Sequence, residues 1–300
     1  MSDLVYLEKD GNIAVVTLNK PERLNAMDET MWRGLGDIMK ECDADTDLRC
    51  IIIRGAGGRA FSAGADIKEF ETTRKDKKSA LTYGDLTTYG FGSIIECRHP
   101  VVAQIDGLCV GGGMGIASCC DIRICGLSSK FGVPVKKLGL VEAHEEMRPL
   151  VEKFGANVAL EILLVGDVFP VADALRMGLV NQVVPDDQVA ATARQFAEKI
   201  ADGAPLSARW HKKFIYRLLD PTPRQTLDPD GPAVVRLLLV ARDAHERAGA
   251  WGQRRLVLQI IIRIADVVAP AGELHVGVEP GLRAAYEFLE HVSILWLPDI

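Results

Sequence analysis

Asp106-Gly-Leu-Cys-Val-Gly-Gly-Gly-Met-Gly-Ile-Ala117 follows the strand-like run Val101-Val-Ala-Gln-Ile105. A β-branched run, a turn and a cluster of glycines passing into helix-forming residues describe a strand that turns into a helix with bare backbone at the junction. Without side chains in the way, a ligand can approach the main chain, and the first amides of a helix point outward toward negative charge. The same arrangement occurs earlier, where Cys50-Ile-Ile-Ile-Arg54 leads to Gly57-Gly-Arg-Ala-Phe-Ser-Ala-Gly-Ala-Asp-Ile-Lys-Glu-Phe70 and a short helix. Two such loops either supply two converging donors for one oxygen or are two unrelated tight turns.

Upstream, Val5 to Glu8 and Ile13 to Asn19 form a hairpin around Asp10-Gly11, and an amphipathic helix runs from Asp28 to Cys42. Downstream, helical patterns cover Glu145 to Phe154, Asn157 to Leu164, Asp187 to Asp202 and Pro205 to Leu219. Strands alternating with helices give an α/β core whose loops carry the site. A dinucleotide fingerprint does not fit over Gly111 to Gly115, because Ile116 or Ser118 falls where its last glycine belongs. Phosphate-loop, G-x-S-x-G and H-E-x-x-H patterns are likewise missing from the sequence.

The chain has 300 residues, 25% of them charged, and a net charge of −6, which speaks against a basic surface for nucleic acid or membrane. An anionic ligand therefore needs local cations or backbone amides. Seven cysteines without C-x-x-C pairs read as small buried hydrophobes in a reducing compartment, and no metal site is expected. The N-terminus has neither the basic nor the apolar region of a targeting peptide, so the expected location is cytoplasmic.

Asn19-Lys-Pro-Glu-Arg-Leu-Asn-Ala26, Phe61-Ser-Ala-Gly-Ala-Asp66, Gly107-Leu-Cys-Val-Gly-Gly-Gly113, Cys120-Asp121 and Phe131-Gly-Val-Pro134 follow one another in a familiar order. In these motifs and their spacing the chain resembles the enoyl-coenzyme A hydratase/isomerase (crotonase) family, as far as about Pro223. The resemblance implies an α/β fold built as a crotonase-like spiral of β-β-α units, with an acyl-CoA-binding core over 1–200 and a C-terminal helical region over 201–300. It also implies that the amides of Ala65 and Gly112 form an oxyanion hole for a thioester. Ala63, Ala65, Asp66, Ile67, Lys68 and Gly112 are then expected to bind coenzyme A and its acyl group, with Arg23 and Leu24 near the nucleotide end. Coenzyme A enters as part of the substrate, no separate cofactor is expected, and the family's habit is a homotrimer or hexamer.

Two departures matter. Family hydratases carry glutamates where this chain has Gly115 and Val135, and neither side chain can move a proton. Candidate replacements cluster in the next loop, at Glu142, His144, Glu145 and Glu146, with Glu142, His144 and Glu145 as the acid/base candidates; the alternative for Glu145 and Glu146 is that both are exposed first-turn residues favouring a helix N-terminus. The tail also differs, with nine arginines and no lysine from Phe214 onward against fourteen lysines before it. Two explanations stand for it: a divergent helical extension, with amphipathic patterns over 232–251 and 284–292, or an out-of-frame reading of a GC-rich gene. The expected function is an enoyl-CoA hydratase/isomerase-type enzyme that binds an acyl-CoA thioester and stabilises its enolate. The alternative is a noncatalytic acyl-CoA-binding or assembly subunit.

Overall fold

The computed structural model describes residues 4–219; the tail beyond, including the helical patterns over 232–251 and 284–292, lies outside the described residues. β1 (Val5–Asp10) and β2 (Ile13–Leu18) pair as the expected antiparallel hairpin, with Asp10 opposite Ile13 and Gly11 at φ 59° in the turn. α1 (Glu29–Ala44) starts at Asp28, whose carboxylate accepts the Met31 N–H at 2.8 Å.

Three repeats follow. They are β3 (Cys50–Gly55), β4 (Ala60–Ser62), α2 (Phe70–Thr73) and α3 (Lys77–Glu96); then β5 (Val101–Ile105), β6 (Leu108–Val110) and α4 (Gly112–Cys119); then β7 (Ile122–Gly126), β8 (Lys130–Gly132) and α5 (His144–Val165). β9 (Phe169–Pro170), α6 (Val171–Arg176), β10 (Gln182–Val184), α7 (Val189–Asp202) and α8 (Pro205–Leu219) complete the described chain.

Within each repeat the first strand enters one sheet and the second enters another. The larger sheet runs β1-β2-β3-β5-β7-β10 and the smaller β4-β6-β8-β9, with β3, β5 and β7 parallel neighbours in one and β4, β6 and β8 in the other. This is the β-β-α spiral expected from the sequence. Its consequence is positional, because the segments following β4, β6 and β8 leave the same edge side by side.

The central strands are buried on both faces, as parallel strands between helices must be. Ile51, Ile53, Val101, Ala103 and Ile105 face the main core with Trp32, Phe61 and Met114, whereas Cys50, Ile52 and Val102 face α7. On α7 the contact is made by Val189, Ala193, Ala197 and Ala201, spaced four apart so that small side chains line one stripe. All seven cysteines are free and buried, and burial pushes thiols such as Cys42 and Cys125 up to about 12, far from reactive thiolates.

α5 joins the two separately read helices into one, kinked at Gly155, whose φ of 84° and ψ of 158° leave the helical region. α8 is tied to the sheet by Lys212, which pairs with Asp121 at 2.9 Å and donates to the carbonyls of Ile94 and His99. Among the described residues no helix is long and apolar enough to cross a membrane.

Candidate active site

The segments after β4 and β6 meet through backbone. Met27 and Ala65 form a short parallel bridge, in which Met27 N–H donates to Gly64 C=O at 2.7 Å and Asp66 N–H to Met27 C=O at 2.9 Å. That pattern takes the amides on either side of the bridge and leaves the Ala65 N–H out of the ladder. Gly112 is the first residue of α4, so its N–H has no acceptor within the helix. A carbon placed at the Cβ position of Gly112 stands 3.7 Å from the Ala65 nitrogen, which puts the two amide nitrogens within about 6 Å of each other. The same carbon stands 3.1 Å from the Trp32 ring. A side chain at 112 therefore crowds Trp32.

The far end of α4 is held firmly. Its last carbonyls, orphaned by the helix end, accept from Lys153 Nζ at 3.1 Å for Cys119 and 2.6 Å for Cys120, from Arg123 at 2.6 Å for Cys120, and from Tyr216 at 3.2 Å for Cys119. These bonds fix the axis along which the Gly112 amide points.

Both amides line one cavity of about 140 Å³, with Trp32, Tyr83, Phe91 and Leu150 among its walls. Glu142 and Glu146 line it as well. Glu146 accepts the Ala143 N–H at 2.8 Å and lies 3.2 Å from the Thr87 hydroxyl. Burial first, then a hydrogen bond and repulsion from the Glu146 carboxylate, push the Glu142 carboxyl up to about 8, with Arg74 pulling weakly the other way. Glu142 is consequently a protonated acid near neutral pH, held beside a carboxylate partner.

The structure thus divides the cluster read from the sequence. His144 and Glu145 are exposed on the first turn of α5 and do not line the cavity, because helix geometry turns them to the outside. Of the two glutamates with an exposed first-turn position as their alternative, Glu145 is exposed, whereas Glu146 is partly buried and part of the wall. Glu146 is the third residue of α5 and turns back to accept the Ala143 N–H, a capping geometry that draws it toward the loop carrying Glu142.

Comparison with known proteins bears on what such a cavity is for. The sequence profile of the enoyl-CoA hydratase/isomerase family matches residues 8–231. The chain belongs to the enoyl-CoA hydratase/isomerase family. It is 34% identical over 215 residues to the short-chain-enoyl-CoA hydratase of Clostridium acetobutylicum, covering 71% of this chain and 81% of that one. It is 33% identical to the (E)-benzylidenesuccinyl-CoA hydratase of Thauera aromatica, covering 70% of this chain and 80% of the relative. Among solved structures, an enoyl-CoA hydratase/carnithine racemase from Magnetospirillum magneticum superposes with a TM-score of 0.74 at 42% identity, over 81% of this chain and 94% of that one.

Gly115 and Val135, the two positions where the resemblance leads one to expect acids, both line the cavity. A carbon at the Cβ position of Gly115 falls 2.7 Å from Phe91 Cζ, closer than such carbons come in practice. Phe91 packs edge-on against Trp32, with ring centroids 5.0 Å apart at 73°, and occupies the room that a side chain at 115 needs. Restoring an acid there by Gly115→Glu is expected to cost about 1–3 kcal/mol through overpacking and to leave hydration of crotonyl-CoA unimproved. Thermal unfolding and a hydration assay check both parts.

The remaining residues named from the sequence are dispersed. Ala63 and Ile67 line the cavity, whereas Asp66 is buried in an ion cluster, accepting from Lys20 at 3.0 Å and Arg23 at 3.1 Å and capping the turn Ile67–Glu69. Arg23 and Leu24 lie outside the cavity wall. Leu24, at φ 52°, accepts the Ala63 N–H at 2.9 Å and so anchors the loop. Lys68 is exposed.

Proposed function

We propose that this family member is an enzyme that moves a double bond in a short enoyl-CoA thioester by transferring one proton from C2 to C4. The thioester oxygen sits between the amides of Ala65 and Gly112, which stabilise the enolate formed when a proton leaves C2. Glu142, as carboxylate, takes that proton and returns it at C4, so the double bond shifts from C3–C4 to C2–C3 with no atom gained or lost. Glu146 is the partner that holds Glu142 in place. The observation carrying this reading is that the one strongly perturbed carboxyl of the cavity shares it with both amides, while positions 115 and 135 offer no acid. Hydration, which in the family uses two carboxylates at those positions, is accordingly expected to be very slow. A cavity of about 140 Å³ is small beside the ~300–1,000 Å³ of sites for drug-sized ligands and suits a short acyl group.

Gly115 and Val135 favour a second reading, in which the protein binds acyl-CoA without turnover. Assaying a short 3-enoyl-CoA for conversion, beside a binding titration, separates the two: binding without conversion leaves only the second.

The pH profile has a definite sign. The free enzyme must start with Glu142 ionised, and its carboxyl is raised to about 8. kcat/KM for a 3-enoyl-CoA is therefore expected to rise about tenfold per pH unit below that value and to level off above it. A profile flat from pH 6 to 9 contradicts Glu142 as the base.

A further inference from the structure

We propose that Arg74 makes the cavity selective for acyl groups that end in a carboxylate. The inference rests on the reading of the cavity as an acyl-thioester site and adds the class of acyl chain to it.

Arg74 follows α2 directly and lines the same cavity as the two amides. Its guanidinium lies over the Phe70 ring at 4.3 Å from the centroid and near the Tyr83 ring at 5.4 Å. A cation–π contact holds the guanidinium near the rings without using its N–H donors in a hydrogen bond. Among the described residues the guanidinium forms no ion pair and no hydrogen bond. Several buried or partly buried cations among the described residues offer a contrast: Lys20 is paired with Asp28 and Asp66, Arg123 and Lys153 are bonded to helix-end carbonyls, and Lys212 is paired with Asp121.

The acids of the cavity do not take this role. Glu142 is bonded to Glu146, and Glu146 is further engaged by the Ala143 N–H and the Thr87 hydroxyl; Arg74 influences Glu142 electrostatically but is not paired with it. Tyr83, the remaining titratable group beside it, uses its hydroxyl oxygen to accept the Trp32 Nε1–H at 3.1 Å. A partly desolvated guanidinium with its donor edge free is a bidentate receptor for a planar anion. In so small a cavity the end of a short acyl chain reaches the walls, so the anion that fits is a carboxylate on the acyl terminus.

Glutaconyl-CoA and crotonyl-CoA differ by one terminal carboxylate, and their dissociation constants for the full chain, with free coenzyme A as a third ligand, provide the test. The wild-type protein is expected to bind glutaconyl-CoA about tenfold to a hundredfold more tightly than crotonyl-CoA. Arg74→Met is expected to bring that ratio to near one, and Arg74→Lys to keep part of it. Equal affinity of the wild type for both thioesters overturns the proposal without reference to any variant, and crotonyl-CoA binding then leaves the acyl-thioester reading standing. Equal weakening of both thioesters and of free coenzyme A by Arg74→Met also overturns it, assigning the guanidinium to the coenzyme's phosphates. Failure of the wild type to bind either thioester brings down this proposal and the acyl-thioester reading together.

Discussion

Glu142→Gln is expected to lower kcat for isomerisation of a short 3-enoyl-CoA by about 10²- to 10⁴-fold, the range over which a positioned acid or base contributes. Glutamine keeps the size and hydrogen-bonding capacity of the side chain, so it still donates to Glu146 but cannot carry a proton between carbons. The dissociation constant for the thioester is expected to change far less than kcat. The variant also tests the environment of the carboxyl through stability. Glu142 titrates near 8 in the folded chain and near the ordinary glutamate value when unfolded, so between those pH values the folded state holds the extra proton. Wild-type stability contributed by this site therefore falls as pH rises from about 4.5 to 8, and Glu142→Gln removes that fall. Loss of activity together with an unchanged pH dependence of unfolding contradicts the account of Glu142 as a buried, raised acid.

Removing the amide of Gly112 is the second large effect. Proline lacks the N–H and is tolerated at the first position of a helix, which Gly112 occupies in α4. Its ring also places a carbon where Gly112 has none, 3.1 Å from Trp32, so Gly112→Ala is the necessary comparison: it adds the same carbon and keeps the donor. Gly112→Pro is expected to be slower than Gly112→Ala by about 10²- to 10³-fold in kcat, the usual cost of losing one oxyanion donor. Equal rates in the two variants show that crowding against Trp32, not the hydrogen bond, governs the site.

Much of this arrangement is legible in the sequence because it is written in backbone chemistry. Ile51 to Ile53 and Val101 to Ile105 are apolar without alternation, as strands buried on both faces are, and the glycines after β6 mark a junction where side chains are excluded. α3 is not legible in the same way. Its buried face includes Thr87, Gly90 and Ser93 beside Tyr83, Leu86, Phe91 and Ile94, which blurs the helical period of apolar residues. That helix supplies Phe91, Tyr83 and Thr87, so the shape of the cavity and the anchoring of Glu146 were hidden with it. The carboxylates illustrate a different limit. Glu142, His144, Glu145 and Glu146 are equally polar in sequence, and only the direction in which α5 leaves its loop turns the first and last inward. Arg74 carried no signal, because a lone arginine among Lys75, Lys77 and Lys78 reads as solvated charge until the rings beneath it are placed.

In the proposed reaction one thioester oxygen is held between the Ala65 and Gly112 amides with Glu142 beside the reacting carbons. A crystal structure of Glu142→Gln with a bound short enoyl-CoA tests it most directly. The thioester oxygen is expected about 2.7–3.1 Å from both nitrogens, with the residue 142 side chain close to C2 or C4. A thioester oxygen turned away from either amide, or an acyl chain lying outside the cavity that Glu142 lines, contradicts it.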